Sequence, residues 1–228
     1  MLNEEVVSYA ASLGFELSMM EVIKINCLPF DIKSIDWKEI DGIIFTSENA
    51  VNCFFSNAKN ADFLAEKTII STSGKTAETL SEKGYSPTIT GKNAEEISHK
   101  IILSGSVKSM LHICGNLTLN TLKTNLEKEN IKYKPLIVYQ TIALENKKPA
   151  EKFDAILFFS PSGVESYFKY NTIENEAPCC IGATTAAAFT KITQNDKVVT
   201  SLKPTPFSML KTLAFLFDFR HTTNDIRL

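Results

Sequence analysis

The sequence predicts an α/β protein with parallel sheets flanked by helices, arranged as two similar domains, and three observations predict it. Short apolar runs rich in β-branched residues alternate with segments of helical periodicity, which is the pattern of βαβ units. Hydrophobic residues are 44% of the 228, enough to build a core in each of two domains. The chain also repeats itself. Asp41-Gly-Ile-Ile-Phe-Thr-Ser-Glu-Asn-Ala-Val51 aligns with Asp154-Ala-Ile-Leu-Phe-Phe-Ser-Pro-Ser-Gly-Val164, and Ser73-Gly-Lys-Thr-Ala77 aligns with Gly182-Ala-Thr-Thr-Ala186, in the same order and at similar spacing.

The elements follow in order. Residues 3–13 read as a helix stopped by Gly14, and 15–27 as an extended stretch. Asp41 to Phe45 reads as a buried strand, 48–56 as a helix, 67–72 as a strand, and 74–83 as a helix ended by Gly84. A helix at 93–103, a strand at 109–114 and a helix at 117–129 lead into a β-rich stretch from Ile131 to Ala143. A lysine-rich polar break at 145–152 precedes the second series: strand 154–159, helix 162–170, strand 179–182, helix 184–192, strand 197–201 and helix 206–218.

Composition excludes several classes of function. With 24 Lys+Arg against 26 Asp+Glu the net charge is −2, which argues against nucleic-acid phosphate or an anionic membrane surface as partner. At 22% charged residues the chain is not disordered. It has neither an apolar run of about 18 residues nor a basic-then-apolar N-terminal leader, so a cytoplasmic location is expected. Cys27, Cys53, Cys114, Cys179 and Cys180 form no C-x-x-C pair of metal spacing and read as reduced, structural thiols. Only two arginines occur, Arg220 and Arg227, so the body of the chain binds nothing through guanidinium forks.

In each copy of the repeat a buried strand runs into hydroxyl residues and then directly into a helix. Hydroxyls and unpaired backbone N–H groups are thereby gathered at the carboxyl edge of a parallel sheet, beside the positive end of a helix dipole. Such corners suit carboxylate or phosphate without basic side chains. Four are identified: Thr46-Ser47, Lys75-Thr76, Ser160-Pro161-Ser162-Gly163 and Thr184-Thr185. The same residues also serve as ordinary N-caps, and it is their repetition across two domains that favours a ligand site.

Other candidates carry less. His99, His112 and His221 share no metal-ligand spacing, and His112 lies mid-strand, where it reads as a packed core residue. Cys114 precedes Gly115-Asn116 at a strand end but has no paired histidine visible in the sequence, which favours a structural thiol over a nucleophile. Ser73-Gly74-Lys75-Thr76 has the G-K-T of a phosphate loop without its earlier glycine. Tyr139 follows the apolar run Pro135-Leu136-Ile137-Val138, where its phenol either projects into a site as a proton donor or is buried with a satisfied hydroxyl.

Taken together, Thr46-Ser47 after Ile43-Ile44-Phe45, Gly74-Lys75-Thr76-Ala77, Cys114-Gly115-Asn116-Leu117, Val138-Tyr139-Gln140-Thr141, Phe158-Phe159-Ser160-Pro161-Ser162-Gly163-Val164, Ile181-Gly182-Ala183-Thr184-Thr185-Ala186 and Pro204-Thr205-Pro206 resemble the uroporphyrinogen-III synthase family over about residues 40–210. The resemblance implies two flavodoxin-like domains joined by a two-strand linker, with 15–29 and 132–143 as the linkers. One domain would comprise 1–28 plus 144–228 and the other 29–143. The implied reaction is cyclisation of hydroxymethylbilane, a linear tetrapyrrole, with inversion of the last ring and loss of water, without cofactor or metal. A monomer is expected, with transient contact to the enzyme that supplies the substrate.

The resemblance makes Tyr139 the donor to, or orienter of, the leaving hydroxyl. Thr46, Ser47, Lys75, Thr76, Gly115, Asn116, Ser160, Ser162, Gly163, Thr184 and Thr185 would bind substrate. Two departures from the family stand out. Met1-Leu2-Asn3 leads almost directly into the first helix, so the usual first strand is expected to be missing. The usual arginines near Cys114-Gly115 are absent too, leaving Lys75, Lys92 or Lys108 and backbone amides to take their place. The alternative reading is a non-catalytic two-lobed protein that binds a tetrapyrrole or small anion.

Overall fold

Parallel strands buried on both faces need helices on both sides, and the chain satisfies this twice. The computed structural model describes residues 3–58 and 61–224, with side chains to Asp218. Both arginine side chains, the His221 side chain and the Met1-Leu2 opening lie outside the described residues. The chain divides into two units, one formed by the residues up to Lys24 together with those from Ala143 onward, the other by Ile25–Ile142.

The unit of Ile25–Ile142 is built on a six-stranded sheet. Its strands are β1 (Ile23–Cys27), β2 (Gly42–Phe45), β3 (Thr68–Thr72), β4 (Ile89–Gly91), β5 (Ser109–Gly115) and β6 (Lys132–Ala143), in the order β1-β6-β5-β2-β3-β4. Strands β2 to β6 pair in parallel, with Ile44 opposite both Ile70 and His112. Numbered along the chain, these five lie in the order 3-2-1-4-5. That is the doubly wound order of dinucleotide-binding folds, whereas the flavodoxin-like domains that the resemblance implies wind 2-1-3-4-5. Either order places a switch point where the winding reverses; here it falls between β2 and β5.

Helices α2 (Glu48–Asn57) and α3 (Lys75–Glu82) cover one face, where Val51, Phe54 and Leu80 pack on Ile43, Phe45, Leu111 and Ile113. Helices α4 (Ala94–Ser104) and α5 (Thr121–Lys128) cover the other, where Ile97, Ile101, Leu122 and Leu126 pack on Ile44, Ile70 and Met110. Alternation along β2 thus serves both cores, and each fully buried side chain contributes about 1.5–3 kcal/mol.

Several local features differ from the expectations. The strand β4 has three residues, too few to show alternation, and short 3-10 helices at Ile32–Ser34 and Trp37–Glu39 rest on Asp31 and Asp36 side-chain caps. The helix expected at 117–129 begins only at Thr121, because the residues after Gly115 are held in a turn. The thiols of Cys27 and Cys53 are not free. They form a disulfide between β1 and α2, their Cα atoms 5.2 Å apart, because the strand end lies beside the helix despite a sequence separation of 26. Cys114, Cys179 and Cys180 are buried and free, and burial pushes each thiol above its ordinary pKa.

The other unit opens on α1 (Glu4–Ser12), capped by the Asn3 side chain, which accepts from Val6 N at 3.0 Å. Its strands β7 (Ala155–Phe158), β8 (Ala177–Cys180) and β9 (Val199–Thr200) pair in parallel as consecutive neighbours, so no gap interrupts this sheet among the described residues. Helices α6 (Pro161–Tyr170) and α7 (Ala183–Thr193) enclose Phe158, Val164, Tyr167, Cys180 and Phe189. On the opposite face α8 (Pro206–Asn224) places Met209 and Leu213 against Cys179, and Leu210 against Val6 and Ala10 of α1.

The polar break at 145–152 is fastened to this unit. Lys148 pairs with the buried Glu176 carboxylate, and Asn171 Nδ2 donates to the Asn146 carbonyl at 2.8 Å. Burial alone would raise the Glu176 pKa, but hydrogen bonds from Lys148 and the Glu174 amide outweigh it and hold the carboxyl at about 2. Among the described residues no helix is long and apolar enough to cross a membrane.

Candidate functional site

Ligands of doubly wound sheets sit outside the carboxyl ends of the strands, at the switch point. Here that point is bounded by Thr46 and Ser47 after β2 and by Gly115 and Asn116 at the end of β5. Tyr139 of β6 completes it. The register of β5 against β6 slips after Cys114, which pairs with Ile137, so that Gly115 pairs with Tyr139 and Val138 is the extra residue. Without this bulge Tyr139 would point away from Leu136; with it, the phenol shares the face of Leu111, Ile113 and Gly115.

Three contacts then fix the half-buried phenol. Its ring lies directly on Gly115, where an added Cβ would come 2.6 Å from Cε2 and 2.8 Å from the hydroxyl oxygen. Its hydroxyl is 3.1 Å from Ser47 Oγ. Asn116 brackets its backbone: the Asn116 amide donates to the Tyr139 carbonyl at 3.1 Å, and Asn116 Oδ1 accepts from Thr141 N at 2.9 Å.

Ser47 is the N-cap of α2, its Oγ accepting from Ala50 N at 3.1 Å. With that lone pair occupied, the Ser47 hydroxyl is free to donate to the phenol oxygen, coupling Tyr139 to the positive end of the α2 dipole. Thr46 is engaged differently, its Oγ1 lying 2.9 Å from His112 Nε2, while His112 Nδ1 is 2.6 Å from the Tyr133 hydroxyl. His112 is buried, and burial lowers its pKa to about 4, so the ring is neutral near pH 7. The packed core residue expected at this position therefore hydrogen-bonds through both ring nitrogens. Its network was missed because Tyr133, 21 residues away, meets it only through the pairing of β5 with β6.

The remaining expected residues fall into two further groups. Lys75 is exposed in the first turn of α3, and Thr76 is buried, its Oγ1 accepting from Thr72 Oγ1 at 2.9 Å. In the other unit Ser160 caps α6 by accepting from Gly163 N at 3.0 Å, with Ser162 Oγ 3.2 Å from Ser160 Oγ. Neighbouring β8 leads into α7, where Thr184 is exposed and Thr185 buried. The helices α3 and α7 begin at Gly74 and Gly182 with no side-chain cap, unlike α2 and α6. The Ser/Thr corners thus divide into capped helix starts and starts whose N–H groups are left for other partners.

A doubly wound sheet with a supported phenol and hydroxyls at its switch point defines an α/β protein that handles a small molecule. The family model described as uroporphyrinogen-III synthase HemD matches residues 4–211. The chain belongs to the uroporphyrinogen-III synthase family, whose activity is that of a hydro-lyase of tetrapyrrole biosynthesis with hydroxymethylbilane as substrate. Its fold is similar to the uroporphyrinogen-III synthetase of Helicobacter pylori, with a TM-score of 0.68 and 22% identity over 86% of this chain and 91% of that one. It is also similar to a mutant uroporphyrinogen III synthase from the extremely thermophilic bacterium Thermus thermophilus, with a TM-score of 0.66 and 16% identity over 95% of each chain. No curated protein matches the chain.

Proposed function

We propose that Tyr139 donates the proton on which the terminal hydroxyl of hydroxymethylbilane leaves as water, opening the cyclisation that inverts the last ring. The supporting observation is the fixed phenol: half-buried on Gly115, held by Asn116 and hydrogen-bonded to the Ser47 hydroxyl. As its proton departs, the phenol oxygen keeps the hydrogen bond from Ser47, whose own oxygen is held by the Ala50 amide. The charge left behind is thus stabilised by the start of α2 without a basic side chain.

The rest of the apparatus holds acidic side chains. Thr46, Lys75, Thr76 and Gly115 would take acetate or propionate groups at one sheet edge, and Ser160, Ser162, Gly163, Thr184 and Thr185 would do so at the edge of the second sheet, while Ser47 and Asn116 serve the substrate through Tyr139. The uncapped starts of α3 and α7 favour this reading, since their free N–H groups suit carboxylates. Once water has left, the electron-rich pyrroles of the substrate carry the bond-making steps, so the protein's part is folding the chain and moving one proton, with no cofactor invoked. Incubation with freshly generated hydroxymethylbilane followed by separation of isomers is the test. Uroporphyrinogen III is the expected product, and formation of only the spontaneous isomer I would overturn the reading.

A further inference from the structure

We propose that Tyr133 and His112 form a relay that turns the hydroxyl proton of Thr46 away from the protein, leaving Thr46 as a hydrogen-bond donor to a substrate carboxylate. The inference rests on the reading of the β2–β5 edge as the substrate site. It assigns roles to two residues, His112 and Tyr133, which act as positioning residues.

The argument is one of proton accounting. The neutral imidazole carries one N–H, so its two nitrogens must play opposite parts. If Tyr133 donates to Nδ1 across the 2.6 Å contact, the N–H sits on Nε2 and donates to Thr46 Oγ1 at 2.9 Å. Every donor of the trio but one is then paired, and the Thr46 proton is the one left to point out of the β2 edge. In the reverse arrangement Nδ1–H donates to Tyr133, Thr46 turns its proton inward to Nε2, and the Tyr133 proton has to find another acceptor. Among the described residues the protein offers no second hydrogen-bond partner to either hydroxyl. The half-buried Tyr133 also packs against the apolar cluster of Ile97, Leu122 and Leu126, where an unpaired O–H is costly. The first arrangement therefore prevails.

The consequence is a donor kept for the ligand. In the reverse arrangement the Thr46 proton is spent on His112 Nε2, whereas in this one it is unspent, and a carboxylate, an acceptor with no proton of its own, is the group best suited to take it.

The tautomer is directly observable. Two-bond nitrogen–proton correlation NMR on uniformly labelled protein should show His112 as the Nε2–H form, and an Nδ1–H form would overturn the relay. In steady-state assays with hydroxymethylbilane, Thr46→Val should raise KM about tenfold, the scale of one hydrogen bond to a charged group, with kcat within twofold. Thr46→Ser should restore the KM. Tyr133→Phe, which keeps the ring in the core, should raise KM about threefold, again sparing kcat. A Tyr133→Phe protein with lowered melting temperature and unchanged KM would show a merely structural role and overturn the proposal. Absence of uroporphyrinogen III from the parent reaction would remove the family activity, while the tautomer would still decide the relay.

Discussion

The ring of Tyr139 occupies the space that a side chain at position 115 would need. A Cβ on Gly115 would lie 2.6 Å from Cε2 and 2.8 Å from the hydroxyl oxygen, closer than real carbon contacts come. Gly115 is therefore retained for close approach, and its partner is a phenol anchored elsewhere by Ser47 and Asn116. Gly115→Ala should push the ring off its seat by a large fraction of an ångström and lower kcat about 100-fold, the scale of a misplaced reacting group. Parent-like turnover in Gly115→Ala would show that the seat of the ring does not matter.

Removing the hydroxyl alone separates chemistry from packing. Tyr139→Phe keeps the ring on Gly115 and loses one neutral hydrogen bond to Ser47, so its stability should fall by only about 0.5–1.5 kcal/mol. In the proposed role of general acid, Tyr139 should on losing its hydroxyl lower kcat about 10²- to 10⁴-fold. Urea denaturation and an isomer-resolved turnover assay on the same preparation check both figures, and equal turnover in mutant and parent would remove Tyr139 from the chemistry.

Asn116 acts through backbone. Its side-chain oxygen accepts from Thr141 N, and its own amide donates to the Tyr139 carbonyl, so it clamps β6 on both sides of the phenol. Asn116→Ala should loosen this clamp and lower kcat about tenfold, the effect of a small displacement of the reacting group. Asn116→Asp keeps an acceptor oxygen and should recover most of the loss, a pattern that a residue contacting substrate through its amide nitrogen would not give.

Glu176 predicts an acid sensitivity confined to one unit. Its folded pKa, about 2, lies below the ordinary 4.5, so its ionised form contributes stability that is complete above about 4.5 and is lost as the pH falls toward 2. Because it fastens Lys148 and the amides of Glu174 and Asn175, protonation should release the 145–152 connection from the sheet of β7, β8 and β9. Glu176→Gln should destabilise the protein at pH 7 and flatten its stability profile between about pH 5 and 2. Parallel acid-denaturation curves for mutant and parent would contradict the assignment.

Legibility in the sequence followed the range of the forces involved. The strand at 41–45 and the helix at 48–56 were readable because a four-residue apolar run and a serine cap are local features, and they appear as Gly42–Phe45 and Glu48–Asn57. Ser47 and Tyr139 were identified separately, but their 3.1 Å contact spans 92 residues and depends on a bulge at Val138 that no local pattern encodes. His112 looked like core for a sound reason, since it is buried. What the sequence concealed was Tyr133 across the strand pair. Strand order was equally hidden, because the alternation of strands and helices is the same for 3-2-1-4-5 and 2-1-3-4-5 windings.

The same limit explains the missed disulfide and leads to a last prediction. Cys27 and Cys53 share no motif spacing, yet the bond ties the end of β1 to the helix whose first turn is capped by Ser47. Closing a loop of 26 residues restricts the unfolded chain by about 3–4 kcal/mol, so reduction should lower the denaturation midpoint by that equivalent. Cys27 is exposed while Cys53 is buried, and the freed Cys53 thiol stays packed with Val51 and Phe54 in the core. Reduction should therefore soften α2 without unfolding its sheet face, so kcat should fall less than stability does. Thermal melts and turnover with and without reductant, with Cys27→Ser as the permanently open form, make the comparison. A reductant-insensitive melt would show that the bond contributes nothing to the folded chain.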